Sequence, residues 1–184
     1  DSIVYRADSI FVAQFDYRDT LVSWTEGLVN STGDLLSAIR YNFANGSISG
    51  TEVSSFAYNS ERQLTNQSVV TAGISNTTQI TYQAGDKTTA TTYTDTSLTA
   101  TYFFEHSSTE NKGQYREGNG ALQPYLGIGD KHLISGGIKV SGTDTVRFEY
   151  EHTLNDAKYT TKTRYTQVRP FAGSIYYVYS YTCR

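Results

Sequence analysis

Hydrophobic and polar residues alternate along much of this chain with a period of two, the spacing that turns successive side chains to opposite faces of a β-strand. In residues 145–154, Phe148 and Tyr150 belong to an apolar set, while Arg147 and Glu149 belong to the charged set between them. The same alternation recurs in residues 11–18, 39–43 and 99–106. The pattern predicts strands with one aromatic or aliphatic face and one polar face.

Turn-forming residues separate these runs and predict hairpin connections between antiparallel neighbours. They are Asn45-Gly46, Gly85-Asp86-Lys87, Gly129-Asp130-Lys131, Ser141-Gly142-Thr143-Asp144 and Asn155-Asp156. Residues 107–120 predict a longer exposed loop. The 16 Tyr and 8 Phe, with abundant Thr, favour strands over helices. No linker divides the sequence, so we expect a single all-β domain spanning residues 1–184.

An internal repeat accompanies the alternation, because residues 99–129 reappear at 145–175 with an offset of 46. The identical pairs are Thr99/Thr145, Glu105/Glu151, His106/His152, Lys112/Lys158, Pro124/Pro170 and Gly127/Gly173. A fixed period of this size predicts copies of a unit too small to bury a core alone. A short turn at 129–131 would give three strands per copy, and an odd number reverses the strand direction from one copy to the next.

Charges of opposite sign are balanced on the polar face of the predicted strands. They are Arg6, Arg18, Arg40, Arg147 and Arg169, with Asp8, Asp16, Glu105, Glu149 and Glu151. In a closed membrane barrel the aromatics face lipid and the polar face fills a narrow lumen, where unpaired charge is expensive. The balance therefore favours an up-and-down barrel of 8 to 12 antiparallel strands with these ten residues as an interior charge network.

A soluble β-sandwich or jelly-roll is the alternative fold, with the aromatic face as its core and the charged face in water. Low mean hydropathy and the Thr-rich segment 88–101 favour it, since Thr on both faces fits lipid poorly. Such a module would be extracellular and would serve binding or assembly, as a lectin, a virion protein or a filament subunit.

Composition excludes several classes of function. The net charge is −3 with a pI near 5.6, and no basic cluster is interleaved with aromatics, so nucleic acid is not an expected partner. Cys183 is the only cysteine and cannot form an internal disulfide. The sequence contains no Met, which predicts that the initiator has been removed, either with a cleaved signal peptide or by other trimming.

Glu105-His106 and Glu151-His152 are the candidate acid–imidazole pairs. Neighbouring residues of a strand point to opposite faces, so neither Glu is expected to share a pocket with the His beside it. The sequence also shows no serine nucleophile elbow and no phosphate-binding glycine loop. We therefore expect a non-enzymatic protein without a catalytic, cofactor or metal site.

Three segments carry a resemblance to a known family: Gln123–Gly129, Ile134–Val140 and Thr145–His152. Together they resemble the C-terminal half of small bacterial outer-membrane β-barrels of the opacity and OmpA-like type. Arg169–Gly173 repeats the first motif. The chain departs from that family at its end, because Tyr181 stands three residues before Arg184 whereas such barrels usually end on an aromatic residue.

The resemblance implies an integral outer-membrane protein at the cell surface, with a signal peptide, a salt-bridged interior and a structural or adhesive role. Membrane lipid would then be its partner. The soluble alternative implies a secreted or virion protein that binds a glycan or protein surface.

Overall fold

A computed structural model of the protein describes residues 2–6, 8–112, 126, 128–157, 159–168 and 173–178. These residues form thirteen β-strands, which confirms the all-β class. The strands are β1 (Ser2–Arg6), β2 (Ser9–Phe15), β3 (Leu21–Val29), β4 (Leu35–Ala44), β5 (Ser47–Tyr58), β6 (Leu64–Thr71), β7 (Ile74–Gln83), β8 (Asp86–Thr94), β9 (Ser97–Glu110), β10 (His132–Ser141), β11 (Asp144–Leu154), β12 (Thr160–Gln167) and β13 (Gly173–Val178).

The strands lie in one sheet in chain order, from β1 to β13. The pairings from β1 to β7 and from β9 to β13 are antiparallel. This up-and-down order has none of the crossovers that a jelly-roll needs among the described strands. The sequence predicts 8 to 12 strands, and the described part of the chain has thirteen. Closure of the sheet into a barrel stays a prediction.

Two-residue turns connect the strands of several hairpins, and their backbone geometry favours Gly and Asn. Asn45 and Gly46 have φ of 52° and 74°, and Ala84 and Gly85 have φ of 54° and 89°. Positive φ at both central positions is typical of the type I′ turn, whose twist matches that of the flanking strands. Ala72-Gly73 has the same geometry and was not predicted, because alanine is not a turn signal.

Five-residue loops of one design make four of the other connections: 16–20, 30–34, 59–63 and 155–159. In each, the backbone N–H of the first residue, an Asp or Asn, donates to the carbonyl of the fifth. The side-chain oxygen of that first residue accepts from the N–H of the fifth, at 2.8 to 3.0 Å. Asx side chains readily take over backbone hydrogen bonding in this way.

In the loops 16–20, 30–34 and 59–63, a left-handed residue at the fourth position returns the chain to the hairpin. Asp19 and Arg62 have φ of 57° and 63° there, and Gly33 has φ of 83°. The left-handed conformation costs little for Gly and is tolerated by Asp. Arg62 has neither advantage, so its contacts must hold it in place.

The chain divides into two compact units. The N-terminal unit comprises Asp1–Gln79, Tyr93–Ser97 and Gly118–Ile128, and the C-terminal unit comprises Ile80–Thr92, Leu98–Glu117 and Gly129–Arg184. The prediction of a single domain stays a prediction.

A small aliphatic cluster forms the core of the N-terminal unit. Ile10, Leu35, Ala38 and Leu126 are each at most 4% exposed and pack together. Gly27 lies among them, and a Cβ at this position would stand 2.6 Å from Leu35 Cδ1 and 2.9 Å from Ile10 Cγ1. The cluster therefore requires glycine here because there is no room for a side chain.

The covered face of the N-terminal unit also carries polar side chains. Ser23 is 0% and Thr25 is 5% exposed, and Ser23 Oγ donates to Gln14 Oε1 at 2.7 Å. The opposite face carries aliphatic residues that are 37–47% exposed: Val22, Leu28, Ile39 and Val53. In β3, β4 and β5 the covered side is thus partly polar and the open side largely apolar.

Aromatic rings form the core of the C-terminal unit. Phe148 is 4% and Tyr150 is 7% exposed, and both pack with Ile134. The rings of Phe104 and Phe148 meet edge to face at 6.0 Å, and those of Tyr150 and Tyr165 lie 5.3 Å apart. Such pairs add about 0.5 to 1.5 kcal/mol beyond their area burial. The predicted aromatic face of β11 is therefore the covered face, while the sequence interpretation as a barrel placed it toward lipid.

Residues 129–131 do not form the predicted hairpin turn. β9 and β10 pair directly, and this segment lies in the long connection between them, just before β10. β9 and β11 both pair antiparallel with β10, so they run in the same direction. The repeat itself stays a prediction, since Pro124, Gly127, Lys158 and Pro170 lie outside the described residues.

Candidate functional site

Charged residues predicted as an interior network lie on the open face of the C-terminal unit. Arg147 Nη2 lies 3.2 Å from Glu105 Oε2, and its Nε lies 3.4 Å from Glu149 Oε1. Glu151 pairs instead with Arg164, at 3.4 Å. The side chains of Arg147 and Glu105 are about half exposed, at 49% and 51%. Pairs this open contribute only about 0 to 1 kcal/mol each.

In the N-terminal unit the structure does not bring the predicted charges into ion pairs among the described residues. Arg40 Nη2 donates to Gln14 Oε1 at 3.1 Å, on the covered face. Arg6 and Arg18 lie over aromatic rings, Asp8 accepts from Ser9, and Asp16 opens the first five-residue loop. Arg169 lies outside the described residues. Enclosure of the ten charges in a lumen stays a prediction.

A bidentate ion pair that the sequence did not reveal connects two of the five-residue loops. Arg62 Nη2 and Nε donate to the two carboxylate oxygens of Asp34, at 2.7 and 2.9 Å. Asp34 is 2% exposed, and Thr32 Oγ1 also donates to it at 2.8 Å. These hydrogen bonds, the Arg62 guanidinium first, hold the pKa of the Asp34 carboxyl below its usual value. The pair fixes Arg62 in its left-handed conformation.

The richest constellation of titratable side chains lies in the C-terminal unit, where three strand ends meet. Asp86 is the first residue of β8, His106 lies near the end of β9, and Asp130 precedes β10. One ligand atom from each of these residues lies within 4.8 Å of the others. Two carboxylates and an imidazole at this spacing are donors suited to a divalent metal ion.

Hydrogen bonds hold both carboxylates of this cluster in place. Asp86 accepts from the backbone N–H of His132 at 2.7 Å, and its second oxygen lies 2.7 Å from His132 Nδ1. Asp130 accepts from the Lys87 N–H at 2.6 Å. The Asn111 side chain donates to the Asp130 carbonyl at 3.1 Å. The carboxylates are thus oriented before any ligand arrives.

A β-bulge sets the position of His106. It pairs with Ile134, and the register shifts on both sides of this pair. Bulges bend a strand and redirect its side chains, and they are frequent beside functional sites. The His106 side chain is 12% exposed, and its Nε2 lies 3.8 Å from Asp130 Oδ1. Strict alternation could not predict this placement.

One signal in the sequence points to the cluster. The tripeptide Gly-Asp-Lys occurs twice, at 85–87 and 129–131. The two copies lie against each other, because the Lys131 N–H donates to the Gly85 carbonyl at 3.1 Å and Lys87 donates to Asp130. Both copies were predicted to form hairpin turns, so the sequence interpretation did not predict this contact.

Among the described residues, no helix is both long and apolar enough to cross a membrane.

Neither a protein-family model nor a curated protein matches this sequence. Solved structures do match in three dimensions. A porin-like protein from Bacteroides uniformis superposes with a TM-score of 0.66 at 16% identity, over 95% of this chain and 74% of that one. The chain has the fold of porin-like proteins. A second one, from Bacteroides vulgatus, gives a TM-score of 0.65 at 10% identity, over 96% of this chain and 84% of that one.

These likenesses refine the expectation drawn from the three sequence segments. The similarity is to porin-like proteins and not specifically to barrels of the opacity and OmpA-like type. At such low identity it concerns the fold alone.

Proposed function

We propose that this protein is a non-enzymatic integral β-barrel of a bacterial outer membrane, with a structural or adhesive role at the cell surface. The described residues form thirteen strands in sequential up-and-down order, which supports closure into such a barrel. The porin-like fold of the two Bacteroides proteins supports the same location.

One observation carries this proposal: the inverted patterning of β3, β4 and β5. Ser23 and Thr25 are covered while Val22, Leu28 and Val53 are 37–47% exposed. A soluble sheet buries its aliphatic face against a core, whereas a membrane barrel turns that face outward to lipid. Ser23 Oγ and Arg40 Nη2 both donate to Gln14 Oε1, so the covered side contains polar groups that bond to one another.

Detergent dependence tests the proposal directly. The purified full chain should remain monomeric and folded only in detergent or phospholipid, and its migration in gels should shift on heating. Retention of the folded monomer in plain buffer would overturn the assignment. Extraction of bacterial envelopes with carbonate separates an integral protein from an adhering one, because only the integral protein stays with the membrane.

A soluble extracellular binding or assembly module is the second candidate, and the C-terminal unit favours it. Glu149 and Glu151 are 52% and 72% exposed on the face opposite the covered aromatic core. A charged open face over a buried aromatic face is typical of a sheet in water. Folding without detergent, followed by binding to a glycan array or to a second copy, would support this candidate.

A further inference from the structure

We propose that Asp86, His106 and Asp130 form a binding site for one divalent transition-metal ion of the zinc type. Three strand ends of the C-terminal unit bring the three donors within 4.8 Å of one another. This site goes beyond the barrel function and does not depend on it.

The separation of His106 and Asp130 is closer to that of two ligands of one ion than to that of a hydrogen bond. His106 Nε2 and Asp130 Oδ1 are 3.8 Å apart, which is too long for a hydrogen bond. Two ligands of a tetrahedral ion with bonds of about 2.1 Å stand about 3.4 Å apart. Small rotations of the side chains would close the three donors around a metal ion.

His106 supplies the second line of argument. Its Nε2 atom is buried and has no hydrogen-bond partner among the described residues. A buried polar atom without a partner is costly, so its presence calls for an explanation. Its counterpart in the repeat, His152, contrasts with it: Nδ1 lies 2.9 Å from Thr163 Oγ1, and Nε2 lies 2.7 Å from the Ile134 carbonyl. His152 is held by its neighbours, whereas His106 directs its ring nitrogen toward carboxylates.

The surroundings have the second layer that metal sites generally require. Ligating carboxylates are usually held by further hydrogen bonds. Here the His132 N–H donates to one oxygen of Asp86, and His132 Nδ1 lies within hydrogen-bond distance of the other. The Lys87 N–H donates to Asp130. The Lys87 ammonium lies 4.5 Å from the centre of the Phe104 ring, a cation–π contact that engages its charge.

The donor set also selects the class of ion. A neutral imidazole nitrogen suits zinc, nickel and copper, whereas calcium and magnesium prefer oxygen ligands throughout. Two carboxylates supply the charge that balances a dication. Three protein ligands leave a further coordination position for water or for a group brought by a partner.

Zinc binding by the full chain tests the proposal. The metal-free protein, folded in detergent or in buffer as it requires, is titrated with Zn²⁺ against a chromophoric chelator. We expect one equivalent bound per chain. H106Q and D130N should each weaken the affinity by more than about a hundredfold, and H132Q by about ten- to a hundredfold, since it acts through Asp86.

Two matched variants control for unspecific effects. H152Q removes the other histidine of the repeat, and E105Q removes the exposed acid next to His106; both should leave the affinity within about twofold. Equal losses in H106Q and H152Q, or no zinc uptake by the unaltered chain at micromolar concentrations, would overturn the proposal.

A measurement on the unaltered chain remains decisive if a variant does not fold. With ¹⁵N-labelled histidine, Zn²⁺ should shift the Nε2 resonance of His106 and leave that of His152 in place. A shift confined to His132 or His152 would contradict the assignment. Co²⁺ in place of Zn²⁺ should give the visible absorption of a low-symmetry nitrogen–oxygen site, and spectra of the aqueous ion would count against it.

Discussion

The two units share one alternation of sequence but differ in how polar the covered face is. In the N-terminal unit, Arg40 and Ser23 lie on the covered side, and Ile39 is 37% exposed on the other. In the C-terminal unit, Phe148 is 4% exposed on the covered side, and Arg147 is 49% exposed on the other. Period-two patterning therefore identifies the two faces of a strand without saying which one is covered.

The covered faces of the two units differ in the kind of contact that stabilises them. In the N-terminal unit, Gln14 Oε1 accepts from both Ser23 Oγ and Arg40 Nη2, so these polar groups of the covered side bond to one another. The C-terminal unit instead fills its covered side with rings around Phe148 and leaves the charges in contact with solvent. Substitutions on the covered and open faces of each unit test this difference through their effect on stability.

The largest effect is expected from truncating the aromatic core of the C-terminal unit. Phe148→Ala should lower the free energy of unfolding by about 3 to 5 kcal/mol, because it leaves a cavity among packed rings. Phe103→Ala removes the same side chain from a position that is 48% exposed, and it should cost about 1 to 2 kcal/mol. Urea unfolding compares the two, and equal losses would mean that both faces of β9 and β11 are covered.

A charge placed on the open face of the N-terminal unit distinguishes lipid from water. If Val53 faces lipid, Val53→Arg should cost about 2 to 4 kcal/mol in phospholipid vesicles. Thr145→Arg, on the charged open face of β11, should change stability by less than about 0.5 kcal/mol. A harmless Val53→Arg would place that face in water and erase the contrast with the C-terminal unit.

Asp34→Asn measures how much the ion pair between the loops 30–34 and 59–63 stabilises the N-terminal unit. It should cost about 1.5 to 3 kcal/mol, since the bidentate bonds from Arg62 lose their charged acceptor. Asp19→Asn, in the exposed loop 16–20, is the control and should be close to neutral, because Asn tolerates the left-handed backbone equally well.

Acid should remove the same contribution. The pKa of Asp34 is lowered in the folded protein, so its stabilisation is fully present above the ordinary carboxyl pKa and disappears as pH falls through the lowered value. The difference in stability between the unaltered chain and Asp34→Asn should therefore shrink in acid. A difference that is constant from neutral pH to strong acid would show that the ion pair does not contribute.

Gly27→Ala probes how tightly the aliphatic cluster of the N-terminal unit is packed. The added methyl group would meet Leu35 and Ile10, and the expected cost is about 1 to 3 kcal/mol. Gly50 lies two strands away with nothing within 4 Å of a built Cβ, so Gly50→Ala should be neutral or slightly stabilising. Calorimetry of the two variants would detect the difference, and equal melting temperatures would contradict the packing.

The smallest effect is expected at the exposed ion pairs. Arg147→Gln should cost less than about 1 kcal/mol, and that cost should vanish in about 1 M salt because screening removes it. Arg40→Gln should cost more, about 1 to 2 kcal/mol, because Arg40 bonds Gln14 on the covered side. A salt-insensitive loss at Arg147 would indicate that its pairs are enclosed after all.

The strands and several turns were predictable because they depend on local chemistry. Alternation around Phe148 located β11, and Asn45-Gly46 located a type I′ turn. What escaped prediction depends on contacts distant in sequence. Asp130 was interpreted as part of a hairpin turn although it meets Lys87, and no local pattern pairs Arg62 with Asp34. Likewise a bulge, and not the alternation, brings His106 to its carboxylates.

Each five-residue loop has a surface position whose side chain does not take part in closing the loop. Their first residue closes the loop from within, while the second points outward: Tyr17 is 86% exposed, and Ser31, Ser60 and Asp156 are also exposed. Substitution at these second positions can vary the outward chemistry of the protein while every strand keeps its register.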